Sequence, residues 1–161
     1  MGESTTQDSL RIFLVVVDDS EEMRAALRYA CRRAQKTGGR VALLWVVQSS
    51  ELQQYALLGQ NMASEIRSQA EERLQSLAKE VTHISGHDPL LFIREGETQE
   101  ELLKLLEEEQ KIKILVLAAN DTVEDLGPLV SAVTGSLQET LRIPTTIVPG
   151  SLTDQEIDVM T

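Results

Sequence analysis

Two short stretches of this chain carry residue types and spacings that could do chemistry. One is Asp18-Asp19-Ser20, an acid pair and a hydroxyl ending the apolar run Ile12–Val17. The other is Gly135-Ser136, read as opening a helix over SLQETLR between the apolar runs Ile112–Ala119 and Ile143–Val148. A Gly-Ser pair at a helix start can hold an anion, because unpaired backbone N–H groups and the positive end of the helix dipole converge there. The loop before it, NDTVEDLGPLVSAVT, has one glycine and no basic residue, so the anion site is incomplete. Paired acids at a strand end suit Mg2+, or one of them accepts a hydrogen bond from a ribose or base. The plainer reading of Asp19 and Ser20 is a turn in which Ser20 caps the next helix and Asp19 favours its positive end. Asp18, at the strand terminus itself, keeps the ligand role open.

Other candidates are weaker. His83 and His87 stand four apart in HISGH, a spacing that shares a metal on a helix, yet Gly86 and Pro89 end the helix there and no third ligand clusters nearby. They read as solvated loop histidines. The single cysteine, Cys31, falls mid-helix without a neighbouring histidine and reads as a packing residue. Glu107-Glu108-Glu109 reads as a solvated helix surface. No Ser–His–Asp set, nucleophile elbow or Walker loop can be assembled, so no catalytic constellation is expected. VVVDDSEEMRAAL invites comparison with a response-regulator receiver domain. That reading fails because the expected phosphoacceptor region, QQYALLG, holds no acid and the closing strand IPTTIVPG holds no lysine.

The elements that must position these residues follow from hydrophobic period. Arg11–Asp18, Arg40–Val47, Pro89–Arg94, Ile112–Ala119 and Ile143–Val148 read as strands buried on both faces. Helical patterns separate them. Ser20 to about Lys36 carries the stripe Met23, Leu27, Ala30 and Ala34, and Gly38-Gly39 stops it. After an irregular stretch Ser49–Leu58 and a break at Gly59-Gln60-Asn61, Ala63, Ile66, Ala70, Leu74, Leu77, Val81 and Ile84 share one helical face. Thr98 and Glu101 have capping-box spacing for a helix reaching about Gln110. Strict alternation predicts a single α/β domain, an open five-stranded parallel sheet with helices on both faces. Ligands in such sheets bind beyond the carboxyl ends of the strands, where the strand order reverses. Residues 1–10 are expected to be a flexible segment, 11–150 the domain, and 151–161 an acidic mobile tail.

Composition sets the outer limits. The chain of 161 residues is 42% hydrophobic but only 3% aromatic, so its core must be aliphatic. A net charge of −11 and a pI near 4.6 argue against nucleic acid and anionic membranes as partners. No apolar run approaches the ~20 residues that cross a bilayer, and the polar N-terminus has no signal-peptide pattern. Gly2 with Thr6 matches a myristoylation motif only superficially. A lone cysteine fits a reducing compartment, so a cytoplasmic location is expected.

With these residues in view, the chain resembles the universal stress protein family from about Arg11 to Gly150. The resemblance rests on VVVDDS followed by a helix containing AAL, on ALLWVV, and on the closing pattern from Gly135-Ser136 through Pro144 to Pro149. It implies a five-stranded fold of the adenine-nucleotide alpha-hydrolase, Rossmann-like type, frequent dimerisation through the last strand, and ATP binding in some members. It implies an adenosine contact at Asp18 beside Val17, a backbone contact to adenine at Val46, and a phosphate loop ending at Gly135-Ser136. The family's G-x-x-G pair is replaced: counting back gives Thr122 and Asp125, and aligning by the strand end puts Ala119 first. Asp121, Glu124 and Asp125 add negative charge on the expected phosphate path.

The resulting expectation is a homodimeric, cytoplasmic protein of this family with a regulatory or binding role, open to a protein partner, with weak or absent ATP binding and no efficient hydrolysis. No cofactor is firmly implied; ATP or AMP with Mg2+ is the ligand of the alternative, a working nucleotide switch. An alpha-hydrolase-type enzyme ranks lowest, since VVVDDSEE lacks the glycines of SGGxDS.

Overall fold

A computed structural model describes residues 10–57, 62–120 and 126–161. Five strands, β1 (Ile12–Val16), β2 (Arg40–Gln48), β3 (Leu90–Gly96), β4 (Ile112–Ala119) and β5 (Thr145–Pro149), form one parallel sheet ordered β3-β2-β1-β4-β5. The central strand β1 is almost wholly buried, and Val15 pairs with Leu43 on one side and Val116 on the other. Strands covered on both faces need apolar side chains on both, which is why these segments read as runs rather than alternations.

Among the described residues, six helices cover the sheet: α1 (Met23–Thr37), α2 (Ser49–Ala56), α3 (Met62–Ser85), α4 (Thr98–Glu108), α5 (Pro128–Thr134) and α6 (Asp154–Met160). One core cluster joins alternate strand residues, such as Phe13, Val15 and Leu43, to the stripe of α1, to Leu74 and Val81 of α3, and to Ile157 of α6. The other joins Leu14, Leu44 and Leu115 to Leu102 and Leu105 of α4 and to Val130 and Val133 of α5. The predicted stripe Met23, Leu27, Ala30 and Ala34 is buried, and α1 ends at Gly38, whose φ of 70° is the left-handed cap that glycine adopts without strain. No described helix is long and apolar enough to cross a membrane.

Five local expectations are corrected. Ser20 does not cap α1: the cap position is Glu22, and Ser20 turns back so that its N–H (2.8 Å) and hydroxyl both donate to Asp18 Oδ1. Residues Ser49–Ala56 form a helix, not an irregular stretch. The Thr98–Glu101 box does not form, because α4 already includes Thr98 and is capped from Glu97 without a side-chain bond. His83 is the fourth: it lies on α3, exposed, rather than in a loop.

The fifth correction concerns the C-terminus. Residues 151–161 are not a loose tail. Thr153 and Glu156 close both halves of a capping box, and α6 follows with Ile157 fully buried. Arg28 grips Asp158 with two bonds of 2.8 Å, Arg32 adds one of 2.9 Å, and Arg33 donates to the Thr161 carbonyl. Hydrogen bonds from Arg32 and Arg28 hold the Asp158 carboxyl well below the usual carboxylate range. The turn into α6 is tight: a Cβ on Gly150 would collide with Glu22 Cβ and lie 2.7 Å from the Ala119 oxygen.

Candidate functional site

The strand order reverses between β1 and β4, so the carboxyl ends of β1, β2 and β4 are where a ligand is sought. A cleft of about 520 Å³ opens there, over β1 and β2. That volume lies within the range of small-molecule sites, ~300–1,000 Å³. Val16, Val17, Val46, Pro128 and Leu129 supply its apolar surface. Asp18, Gln48, Glu97, Thr98, Gln99 and Glu100 supply its polar surface. Over β1 and β4 themselves the crevice shrinks to about 80 Å³, because Leu126–Val130 crosses it as α5 begins.

Each site residue is placed by its element. Val17 continues β1, buried, and its N–H donates to the Leu44 carbonyl (2.9 Å), which fixes Asp18 just beyond the sheet. Asp18 is exposed and oriented by its bonds from Ser20. Asp19 faces away and pairs with Arg73 of α3 at 2.7 Å. Val46 reaches the cleft from the far end of β2. Glu97, Thr98, Gln99 and Glu100 come from the β3–α4 junction and the first turn of α4.

Val17, Asp18 and Val46 are thus brought together, while Ala119, Gly135 and Ser136 are not among the residues that line the cleft. The Ala119 carbonyl accepts the Gly150 N–H (2.9 Å). Gly135 corrects a central expectation: it ends α5 rather than opening a helix. Its N–H donates to the Ala132 carbonyl (3.1 Å), and residues 135–140 form successive turns closed by Leu137 N–H to Ala132 (2.8 Å) and Leu141 N–H to Leu137 (2.9 Å). The physical reason lies upstream. Pro128 fits a helix's first turn and starts α5 there, so the Gly-Ser pair arrives at that helix's negative end. Thr122, Asp121, Glu124 and Asp125, the other loop positions singled out from the sequence, lie outside the described residues, as do Gly59-Gln60-Asn61.

Gln48 falls in Val46–Ser49, one of the strand ends at which the sequence places a ligand, whereas sequence reasoning missed Glu97–Glu100, Pro128 and Leu129. The strand-end rule, applied also to β3, would have found Glu97–Glu100, and Pro128 carries its own helix-start signal. The cleft's charge is one-sided: three carboxylates, Asp18, Glu97 and Glu100, and no lysine or arginine among the described lining residues. The fit to a nucleoside triphosphate is therefore poor on this surface, and the described residues contain no cluster of three or more metal-ligating side chains. Apolar walls with amide, hydroxyl and carboxylate groups on one rim suit a flat heterocycle carrying hydroxyls.

The model of the universal stress protein family matches residues 9–149. No curated protein matches the chain. Among solved structures, universal stress protein UspA from Lactobacillus plantarum is similar with a TM-score of 0.68 and 19% identity, over 86% of this chain and 97% of that one. A universal stress protein from Archaeoglobus fulgidus gives a TM-score of 0.65 and 15% identity over 90% and 97% of the two chains. A universal stress protein described in complex with cAMP gives 0.59 and 17% over 88% and 98%.

Proposed function

The chain belongs to the universal stress protein family, and on that premise we propose that it is a non-catalytic binding or regulatory member, acting in the cytoplasm in a stress response. Its cleft takes the adenosine part of an adenine nucleotide, and its affinity for ATP is weak or absent. The observation that carries this reading is the division of the site: Val17, Asp18 and Val46 line the cleft, whereas Gly135 and Ser136 do not, and the charged groups among the described lining residues are all acidic.

The energetics favour the same side. Each charge-assisted hydrogen bond that a phosphate fails to make removes ~1.5–3 kcal/mol. Without a helix start at Ser136, the ~0.3–1 kcal/mol that a helix dipole offers an anion is lost as well. Kd for ATP is expected near or above ~1 mM, or ~4 kcal/mol of binding energy at most. AMP and adenosine, which carry less charge toward Asp18, Glu97 and Glu100, should suffer less. Titration calorimetry with ATP, AMP and adenosine, with and without Mg2+, tests this. Micromolar ATP affinity that Asp18→Ala abolishes would overturn it.

A second reading, a nucleotide-responsive switch, draws support from the relative whose structure is described with cAMP. Mass spectrometry of nucleotides released from the purified protein separates the two. We further propose a homodimer through β5, since β5 is an edge strand and its backbone is free to add a strand.

A further inference from the structure

The acids of the cleft have a layout as well as a sign. The order β3-β2-β1 sets the end of β3 two strand spacings, about 10 Å, from the end of β1. Asp18 stands at the β1 end, and Glu97 and Glu100 stand at the β3 end, where α4 begins. Val46 and Gln48 of β2 lie between them, Val46 on the sheet face that α4 and α5 cover. The cleft is therefore apolar in its middle and carboxylate at both sides. Among the described residues, no three metal-ligating side chains are grouped so that they could hold one ion. Carboxylates spread this way do not suit a compact divalent cation, which draws several oxygens to about 2.0–2.6 Å. They suit an organic cation with an apolar body.

Arginines and a lysine on the neighbouring elements are engaged elsewhere. Arg94 of β3 donates to Glu108 at 2.7 Å, Arg67 of α3 to Glu95 at 2.9 Å, and Arg73 of α3 to Asp19 at 2.7 Å. Lys104 of α4 donates to Glu101 at 3.3 Å. Two helix starts also border the cleft, and their positive ends favour an anion. Their effect is outweighed. A helix start is equivalent to roughly half a positive charge, and α4 sets Glu97, Glu100 and Glu101 against its own. The other helix, α5, opens with Pro128, which has no N–H to donate, and is only 7 residues long.

Shape then decides which acids a ligand's charge meets. Over β1 and β4 the crevice narrows to about 80 Å³, so a substituent on a bound sugar has room toward β3 instead, where Glu97 and Glu100 stand. Ser20 bonds to Asp18 through Oδ1, which leaves the second carboxylate oxygen for hydroxyl groups of the sugar.

Resting on the adenosine reading of the cleft, we infer that it selects a cationic nucleoside: an adenosine whose sugar carries an ammonium or sulfonium group where a nucleotide carries phosphate. The apolar floor takes the base, Asp18 takes the sugar hydroxyls, and Glu97 and Glu100 take the positive group. The acids that make ATP a poor ligand are then the recognition element for this one.

The test titrates the full chain with ligands that share base and sugar: adenosine, AMP, and adenosine with its primary sugar hydroxyl replaced by an amine or by a dimethylsulfonium group. Ligand-observed NMR reads affinities in the weak range. In about 0.01 M salt, with a screening length of about 30 Å, at least one cation should bind about tenfold more tightly than adenosine, and AMP more weakly than adenosine. In about 1 M salt, with screening within about 3 Å, these differences should largely vanish. The tighter of the two cations identifies the head group. Glu97→Gln combined with Glu100→Gln should narrow the cation-to-AMP ratio about fivefold. Glu107→Gln combined with Glu139→Gln removes as much charge from exposed sites outside the cleft and should leave that ratio as it is, which separates the cleft from the net charge of −11. Adenosine binding with no preference for either cation, or a preference that survives the paired change at Glu97 and Glu100, would overturn the inference and leave the adenosine reading standing. Tighter binding of AMP than of both cations would overturn it as well. Binding of none of these ligands would overturn both.

Discussion

Replacing Ile157 by alanine should separate a docked C-terminal helix from a loose one. Its side chain is fully buried, and it shares a core cluster with Val148 and, at the margin, Leu152. Truncating a buried isoleucine to alanine costs ~2–5 kcal/mol, from lost transfer energy and the cavity left behind. Here the lower half of that range is expected. The helix is short and terminal, so once the cost exceeds its docking free energy it detaches and the body of the domain remains folded. About 2–3 kcal/mol in a chain of this size lowers Tm by roughly 4–12 °C. The matched control is Val159→Ala on the same helix, 87% exposed, which should stay within about 0.5 kcal/mol of wild type. Urea denaturation followed by circular dichroism, with Tm from calorimetry, measures both. If Ile157→Ala is no more destabilising than Val159→Ala, the docking of α6 is wrong and residues 151–161 are the loose tail that composition alone suggests.

Three further outcomes follow from the same structure. The folded-state pKa of Asp158 is depressed, so the stability it contributes is present above its ordinary value of 3.8 and drains away as pH falls below that toward the folded value; Asp158→Asn should flatten that acid limb of a Tm–pH profile, and an unchanged limb would count against the arginine fork. Burial, with Glu80 adding to it, pushes the Cys31 thiol up to about 12, so iodoacetamide at pH 8 should label native protein far more slowly than unfolded protein; equal rates would refute its burial. Gly150→Ala drives a Cβ into Glu22 Cβ and the Ala119 oxygen and should cost ~1–3 kcal/mol by overpacking, read as a lower urea midpoint; a neutral result would show that the entry to α6 is loosely packed.

Hydrophobic period carried the architecture. Five aliphatic runs separated by helical stripes can be buried together in few ways, and the observed order β3-β2-β1-β4-β5 places both Asp18 and Val46 at one end of the sheet. Long-range burial is redundant in such a chain, since every strand repeats the same instruction. Termini and loops lack that redundancy. Thr98-x-x-Glu101 and Thr153-x-x-Glu156 have the same local pattern, yet only the second is a capping box. In the first, α4 begins at Thr98, so that residue sits inside the helix rather than before it. The second lies before the helix proper, where both of its bonds can close.

What the sequence determined by itself is therefore the α/β class, the strand and main helix segments, the aliphatic core and the acid at the end of the first strand, because each depends on side-chain period and polarity read locally. Where lone polar and small residues place their hydrogen bonds depends instead on packing between elements distant in the chain. Ser20 turns to Asp18 instead of α1, Gly135 closes α5 instead of opening a helix, and Asp158 meets two arginines more than a hundred residues away. A single polar group has several partners of nearly equal strength within reach, each worth about 1 kcal/mol net, and packing of the surrounding elements chooses among them.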